Sequence, residues 1–293
     1  MKDNVFYTKP TLNLGGKITS IDSPRVMGIL NVTPDSFYGE SRLACEKEIL
    51  EKASKMIMEG ATWLDVGGYS SRPGALHISM DEELERVIPA VKAILKEMPN
   101  AHISIDTFRS EVARRALDAG ASMVNDISGG QQDEKMAEVL ALYKVPFVLM
   151  HMKGTPQNMV HATQYEDIIS ELIDYFQKKL HNLLSIGVSD VILDVGFGFA
   201  KTTDQNFYLL DNLALFKILE CPILVGISRK SMISKTLSVE TADALNGTTA
   251  LHMVALQNGA HILRVHDVKE AMQAIKLHSM FKMNKWNFQN ELK

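Results

Sequence analysis

Short runs of β-branched and other apolar residues alternate along the chain with longer stretches of helical period, the order expected of parallel strands joined by covering helices. The strand-like runs fall at residues 26–31, 63–67, 102–106, 123–126, 146–150, 191–194, 223–226 and 262–265. About eight such runs is the number that closes a (β/α) barrel. The helical stretches carry their own punctuation. Ile49, Leu50, Ala53, Met56 and Ile57 form one apolar stripe, followed by Gly60 where a left-handed residue can end a helix. Ser79 and Glu82 have capping-box spacing ahead of Leu84, Val87, Ile88, Val91 and Leu95, and Pro89 inside that stripe predicts a kink or a later start. Val112, Ala113, Ala116 and Leu117 precede Gly120 in the same manner, and Ile168, Ile169, Leu172, Ile173, Phe176 and Leu180 lead towards Gly187.

The pattern predicts an α/β fold, a single (β/α)8 TIM barrel over residues 1–293 with its active site at the C-terminal ends of the strands. Residues 1–23 form an extension over the bottom of the barrel, and residues 281–293 read as a polar tail. A doubly wound open sheet shares the alternation, but the first strand is not followed by its Gly-x-Gly-x-x-Gly turn. With 293 residues, 46% of them hydrophobic, the chain can bury a core of that size. A formal charge of -4 offers no basic surface for nucleic acid or an anionic membrane. Two cysteines, Cys45 and Cys221, in no metal-binding or disulfide pattern, point to a reducing cytoplasm. Residues 1–10 lack the apolar centre of a signal peptide, and no run approaches the roughly 18 apolar residues of a membrane span.

Almost every expected strand ends in a residue able to bind or polarise a ligand: Asn31, Asp65, Asp106, Asn125 with Asp126, His151, Asp194, the Ser228-Arg229-Lys230 turn, and Arg264 with His266. One aspartate at a strand end is as readily a turn former or a helix cap. The whole set in register predicts a single rim. Asp194 can accept two hydrogen bonds from an amino-pyrimidinone edge, and Asn125 offers both a donor and an acceptor. Lys230 is expected to point into the mouth, with Ser231 and neighbouring amides at an anion. Arg264 and His266 lie on one face of their strand and, with Asn31 across the rim, suit a phosphate group. Asp267 and Glu270 have capping-box spacing, which makes Asp267 structural. Ser71 and Arg72, in a glycine-containing loop, are available to an anionic leaving group; a plain surface turn is the other reading. Residues 194–201 are glycine-rich without phosphate-loop spacing, so the glycines are expected to pass close to a ligand and Phe199 to form an aromatic wall. His77, His102, His161, His181, His252, His261 and His278 show no metal-ligand spacing.

Several of these segments, in order, form the motif set Asn31-Val32-Thr33-Pro34-Asp35-Ser36-Phe37, Ser70-Ser71-Arg72-Pro73-Gly74, Ser104-Ile105-Asp106-Thr107, Val124-Asn125-Asp126-Ile127-Ser128-Gly129-Gly130, Met150-His151-Met152, Gly196-Phe197-Gly198-Phe199, Ser228-Arg229-Lys230 and Arg264-Val265-His266-Asp267. The ordered set resembles that of the dihydropteroate synthases, from Met27 to about Lys276. The resemblance implies condensation of a dihydropterin diphosphate with 4-aminobenzoate in folate synthesis, through a pterin cation. It implies a pterin pocket of Asp106, Asn125, Ile127, Met150, Asp194, Gly226 and Lys230, and a diphosphate site of Asn31, Ser71, Arg72, Arg264 and His266, with Asn31 also meeting Mg2+. The aminobenzoate would lie among Thr33, Phe37, Ser71, Arg72, Pro73, Phe199, Lys230 and Ser231. Asp35, Asp106 and Lys230 would be catalytic, and two loops carrying Thr33, Asp35 and Arg72 would close over the reacting carbon. A homodimer and competition by sulfonamides are further implications. Three positions depart from the family pattern: Tyr69 replaces a usual Glu, Ser71 a usual Thr, and Val195 a usual Pro. A methyltetrahydrofolate-dependent methyltransferase domain shares the barrel and would account for Asp106, Asn125 and Asp194, but not for the Ser-Arg-Lys turn or the 31–37 loop. A catalytically silent pterin-binding homologue is the non-enzymatic alternative.

Overall fold

The computed structural model describes residues 11–14, 16–32, 42–70, 77–155, 159 and 162–283. Eight strands form the barrel: β3 (Arg25–Asn31), β4 (Trp63–Gly67), β5 (His102–Asp106), β6 (Met123–Asp126), β7 (Phe147–Met150), β8 (Val191–Asp194), β9 (Ile223–Val225) and β10 (Ile262–Val265). They pair in chain order, all parallel, and β10 returns to β3 to close the cylinder. Ahead of them, β1 (Thr11–Leu14) and β2 (Lys17–Ser20) make an antiparallel hairpin.

Helices occupy every crossover. They are α1 (Arg42–Met58), α2 (Met80–Glu97), α3 (Ser110–Asp118), α4 (Met136–Tyr143), α5 (Ile168–Ser185), α6 (Thr203–Asp211), α7 (Ser231–Leu237), α8 (Leu245–Gln257) and α9 (Val268–Met283). Their starts are chemically marked. Ser79 accepts from the Glu82 amide, Asp167 from the Ile169 and Ser170 amides, and Thr202 with Gln205 completes a capping box. The helix α2 starts at Met80 and runs on through Pro89, so the later start is not what the chain adopts. Its buried face, Val87, Ala90, Val91 and Ile94, offsets the hydrogen bond that proline cannot donate. The terminal helix α9 continues to Met283, three residues into the segment expected as a tail.

Strand alternation sorts the core into two shells. Outward residues such as Leu64, Ile103, Val124, Leu149, Leu193, Val225 and Leu263 pack under the helices. Inward residues Met27, Trp63, Met123, Val148, Ile192, Leu224 and Ile262 fill the lower barrel, where Leu12, Leu14 and Ile21 of the hairpin segment join them. The Asn13 amide donates to Asp190 Oδ2 at 2.7 Å, tying the hairpin to the loop before β8. The lower opening is thus filled with side chains.

Candidate active site

One pleat period above the apolar layer, the same inward positions become Asp65, Asn125, Met150, Asp194, Gly226 and Arg264, and Asp106 joins them from β5. This step of two residues places three carboxylates and a guanidinium inside one ring of strands. Arg264 donates from Nε to Asp65 Oδ2 at 2.6 Å and from Nη2 to Asp106 Oδ2 at 2.5 Å. Asn125 Nδ2 also donates to Asp65 Oδ2, at 2.9 Å. Asp194 Oδ1 accepts the Gly196 amide at 2.8 Å, and its Oδ2 faces the space over Gly226. Among the described residues Asp65 is therefore the hub of this layer, a role that the resemblance did not assign.

Lys230 enters the same space because its neighbour is held outside. Arg229, at φ +54°, donates from Nε and Nη2 to the two Asp267 oxygens at 2.8 and 2.9 Å, and its amide donates to Thr248 Oγ1 at 3.0 Å. Asp267 is structural, as expected. With Arg229 fixed, Lys230 Nζ reaches the Phe197 carbonyl and lies 4.7 Å from the Phe199 ring centre. Phe199 packs with Ile127, Met150, Met152, Met159 and Ala200 in an apolar wall beside the charged ring. Ser231, exposed, is the first residue of α7.

Burial sets the electrostatics. It pushes the Asp106 carboxyl up to about 7 against the pull of Arg264, with Asp65 adding to the rise. The Asp194 carboxyl is also raised by burial, opposed by Lys230. Burial lowers the Lys230 ammonium to about 8, opposed by Asp194. The site is a nearly dry ring of opposed charges whose protonation a ligand can reset.

At the lip, Asn31 is exposed at the end of β3, and His266 Nδ1 lies 3.0 Å from Ser228 Oγ. His266 lies one residue past the end of β10, and the Arg264 guanidinium is bonded to the two carboxylates. Thr33, Asp35, Phe37, Ser71, Arg72 and Pro73 lie outside the described residues.

Two rim residues turn out to serve the scaffold. Asp126 accepts the Ser128 and Gly130 amides and shapes the loop after β6. His151 is buried behind the wall, its ring 4.9 Å from that of Tyr175 and its Nδ1 3.1 Å from Lys201 Nζ. Lys201 is itself buried and donates to the carbonyls of Gly196 and Phe199 at 3.2 and 3.0 Å, so it stitches the loop that carries the aromatic wall. A Cβ at Gly196 would sit 2.1 Å from the His151 carbonyl at φ +71°. That glycine is required by this backbone contact. Tyr69, where a charge was expected in the family, packs edge-on against Phe108 and lies 3.3 Å from His77 Nδ1 through its hydroxyl. Beneath it, buried Glu83 receives Thr107 Oγ1 at 2.6 Å and Arg109, bracing the loops after β4 and β5. A glutamate in the first turn of a helix, next to two other acidic residues, gives no hint in sequence that it is buried.

Comparison with known proteins places this geometry. A family model described as pterin binding enzyme matches residues 27–266. The chain is 43% identical over 263 residues to the dihydropteroate synthase of Escherichia coli (strain K12), covering 88% of this chain and 93% of that one. A Yersinia pestis dihydropteroate synthase solved with a sulfonamide drug superposes with a TM-score of 0.87 at 37% identity, covering 93% and 99% of the two chains. The Xanthomonas albilineans dihydropteroate synthase in complex with 7,8-dihydropteroate superposes with a TM-score of 0.82 at 34% identity, again covering 93% and 99%.

Proposed function

The chain belongs to the pterin-binding enzyme family and acts as a dihydropteroate synthase in folate synthesis, and from that premise we propose how its residues divide the reaction. The substrates are a dihydropterin carrying a methylene diphosphate, and 4-aminobenzoate. The single observation that carries the assignment of roles is the ring formed by Asp106, Asn125, Asp194, Lys230 and Arg264 over a sealed apolar floor.

The pterin lies in the ring, its N–H edge towards Asn125 and Asp194, its face against Ile127, Met150 and Phe199, with Gly226 leaving room. The C–O bond to diphosphate breaks first, and the electron pair leaves with the diphosphate. The methylene cation left behind is delocalised into the pterin ring, where Asp106 stabilises it. The aniline nitrogen, neutral at pH 7, then forms the new C–N bond and sheds a proton. Lys230 balances Asp194 and, with Ser231, receives the aminobenzoate carboxylate. Arg264, His266 and Asn31 hold the diphosphate, Arg264 through the N–H groups that Asp65 and Asp106 leave open. Asp35, Thr33, Phe37, Ser71, Arg72 and Pro73 complete the aminobenzoate and diphosphate sites from their loops and exclude water, which would otherwise trap the cation.

Among the described residues no group of three His, Cys, Asp or Glu could enclose a metal. Asn31 offers one exposed amide oxygen, which fits an ion such as Mg2+ that keeps its waters and takes its remaining ligands from substrate phosphates. Bound with the diphosphate, Mg2+ would neutralise charge on the leaving group.

We further propose a homodimer that covers Leu277, Met280 and Phe281, an exposed apolar stripe on α9. Among the described residues no helix is long and apolar enough to cross a membrane; a cytoplasmic location, with Cys221 as a free thiol, completes the reading.

The test is incubation with the dihydropterin diphosphate, 4-aminobenzoate and Mg2+. Dihydropteroate and pyrophosphate are expected in equal amounts, with sulfonamides competing against aminobenzoate. Pyrophosphate without dihydropteroate, or neither product, would refute the proposal.

A further inference from the structure

Glu83 is fully buried and stands outside the barrel, on α2, yet its bonds end beside the carboxylate assigned to the cation. Its Oε1 accepts Thr107 Oγ1 at 2.6 Å, and Thr107 follows Asp106 directly at the end of β5. Its Oε2 accepts Arg109 Nη1, and Arg109 also donates to the Ile78 and Ser79 carbonyls at 2.6 and 3.2 Å. The Arg109 amide in turn donates to Thr107 Oγ1 at 3.1 Å, so both ends of the turn from Thr107 to Arg109 meet at Glu83. The segment Gly67-Gly68 runs between Glu83 and Asp106. A Cβ on Gly67 would lie 3.3 Å from Asp106 Cβ, and one on Gly68 would lie 3.4 Å from Glu83 Cγ. Successive strand residues face opposite ways, so the two acids flank this segment from inside and outside the barrel, with no side chain of the segment between them.

Fold stability alone does not call for a charge here. Asp81 and Glu82, less buried in the same turn, already complement the dipole of α2. A buried ion pair is often matched in stability by apolar residues of similar volume. Burial raises the Glu83 carboxyl, while Thr107 and Arg109 draw it back down. Beyond burial, the charges facing Asp106 are Arg264 from β10, which lowers its carboxyl, and Asp65 from β4, Glu83 from α2 and Asp126 from β6, which raise it; Lys230 faces it from the turn after β9. Of the three acids, Asp65 is bonded to Arg264 and Asn125, and Asp126 to the loop amides. Glu83 is the one bonded to the turn that continues Asp106 itself.

We propose that Glu83 is a positioning residue for the step that forms the pterin cation: it holds the turn after Asp106 from outside the barrel and places negative charge behind the Asp106 carboxylate, across two glycines, without touching the ligand. This deepens the reading in which Asp106 stabilises the cation, and rests on it. With the outer charge removed, Asp106 stays paired with Arg264 and its pull on the developing cation weakens.

Glu83→Gln keeps the length of the side chain and an oxygen able to accept from Thr107, but carries no charge. At about pH 8.5, where Asp106 is ionised in both proteins, the single-turnover rate of dihydropteroate formation should fall about tenfold, with the KM for aminobenzoate within about threefold of the parent. The acid limb of kcat/KM should move to lower pH by about half a unit or more, because one of the charges that raise Asp106 is gone, and ionisation of the substrates is common to both proteins. A glutamate with only a structural role would lower the melting temperature and leave that limb in place. An unchanged single-turnover rate overturns the proposal, as does an acid limb that stays in place or moves up. If Glu83→Gln does not fold, Thr107→Val and Thr107→Ser decide. The valine cuts the bond between the turn and Glu83 and should slow the single turnover about fivefold or more, whereas the serine keeps the hydroxyl and should stay within about twofold of the parent. A loss in both variants, or in neither, overturns the proposal. Should the parent make no dihydropteroate, or Asp106→Ala keep the parental rate, it is the underlying reading of Asp106 that fails.

Discussion

The two ends of the barrel are built from the same strands, and only two residues along each strand separate them. At the lower end Trp63, Met123, Ile192, Leu224 and Ile262 meet the hairpin in a dry apolar plug. One pleat further, β4, β6, β8 and β10 carry Asp65, Asn125, Asp194 and Arg264, buried and held in a charged ring. Lower-layer side chains are almost wholly apolar and pack on one another, which makes that end rigid, with Trp63 Nε1 the polar atom there that lacks a hydrogen-bond partner among the described residues. The upper ring differs in its charge: burial displaces its carboxyls from their ordinary range, as in groups poised for a ligand. The contrast teaches that stability and chemistry are separated here by strand position rather than by domain.

Five substitutions would break or sharpen that division. The largest effect is expected from Lys230→Ala and Asp106→Ala, which should each lower kcat/KM by about 100- to 1000-fold while the circular dichroism spectrum stays that of a folded barrel. A loss below tenfold in steady-state assays would remove these residues from the mechanism. At the other end, Leu12→Ala should cost on the order of 2–5 kcal/mol in urea unfolding, because Leu12 is fully buried, and leave kcat of the folded fraction unaltered. A large drop in kcat would show that the two ends are coupled.

A buried polar group that serves neither end provides the third test. His252 on α8 is buried with both ring nitrogens unpartnered among the described residues, and burial lowers its imidazole from 6.5 to about 4, opposed by Asp267. Its folded value lies below its unfolded one, so its contribution to stability is complete above pH 6.5 and is lost as pH falls towards 4. Over that window it should cost roughly 3 kcal/mol, and His252→Leu should flatten the pH dependence of unfolding by that order. Identical pH profiles for parent and variant would dismiss the effect.

The smallest and most discriminating is Asp106→Asn. The folded carboxyl lies at about 7, above its ordinary 3.8, so its stabilising protonated form is kept below pH 4 and lost as pH rises through 7. The ligand-free variant should therefore melt a few degrees above the parent at pH 8 and show a smaller gap at pH 5. A variant that melts lower at pH 8 would mean that Asp106 is part of the scaffold.

Much of this plan was legible in the chain. Eight apolar runs gave the strands to within a residue or so, because inward and outward positions are both buried and leave continuous hydrophobic segments. Asn125, Asp194, Lys230 and Arg264 were legible as rim residues for the same reason: a polar residue closing such a run stands out. What the pattern could not supply was direction. Arg264 can reach a phosphate or a carboxylate with equal ease, and only folding shows Asp65 and Asp106 within its span. Asp126 and His151 carry the same signal as Asn125 and Met150 yet turn to the loop amides and to Lys201, since each sits one residue out of inward phase or past the strand end. Lys201 reads as a solvent-facing cation until the carbonyls of its own loop close over it. The hairpin was hidden because four-residue strands such as Thr11–Leu14 are too short to show a period.

The plug joins Leu12, near the start of the chain, to Ile262, near its end, in one cluster. During synthesis the hairpin leaves the ribosome before any barrel strand, but its binding surface exists only once β10 has emerged. The hairpin must therefore wait for β10, and losing either one would uncover the same greasy seam.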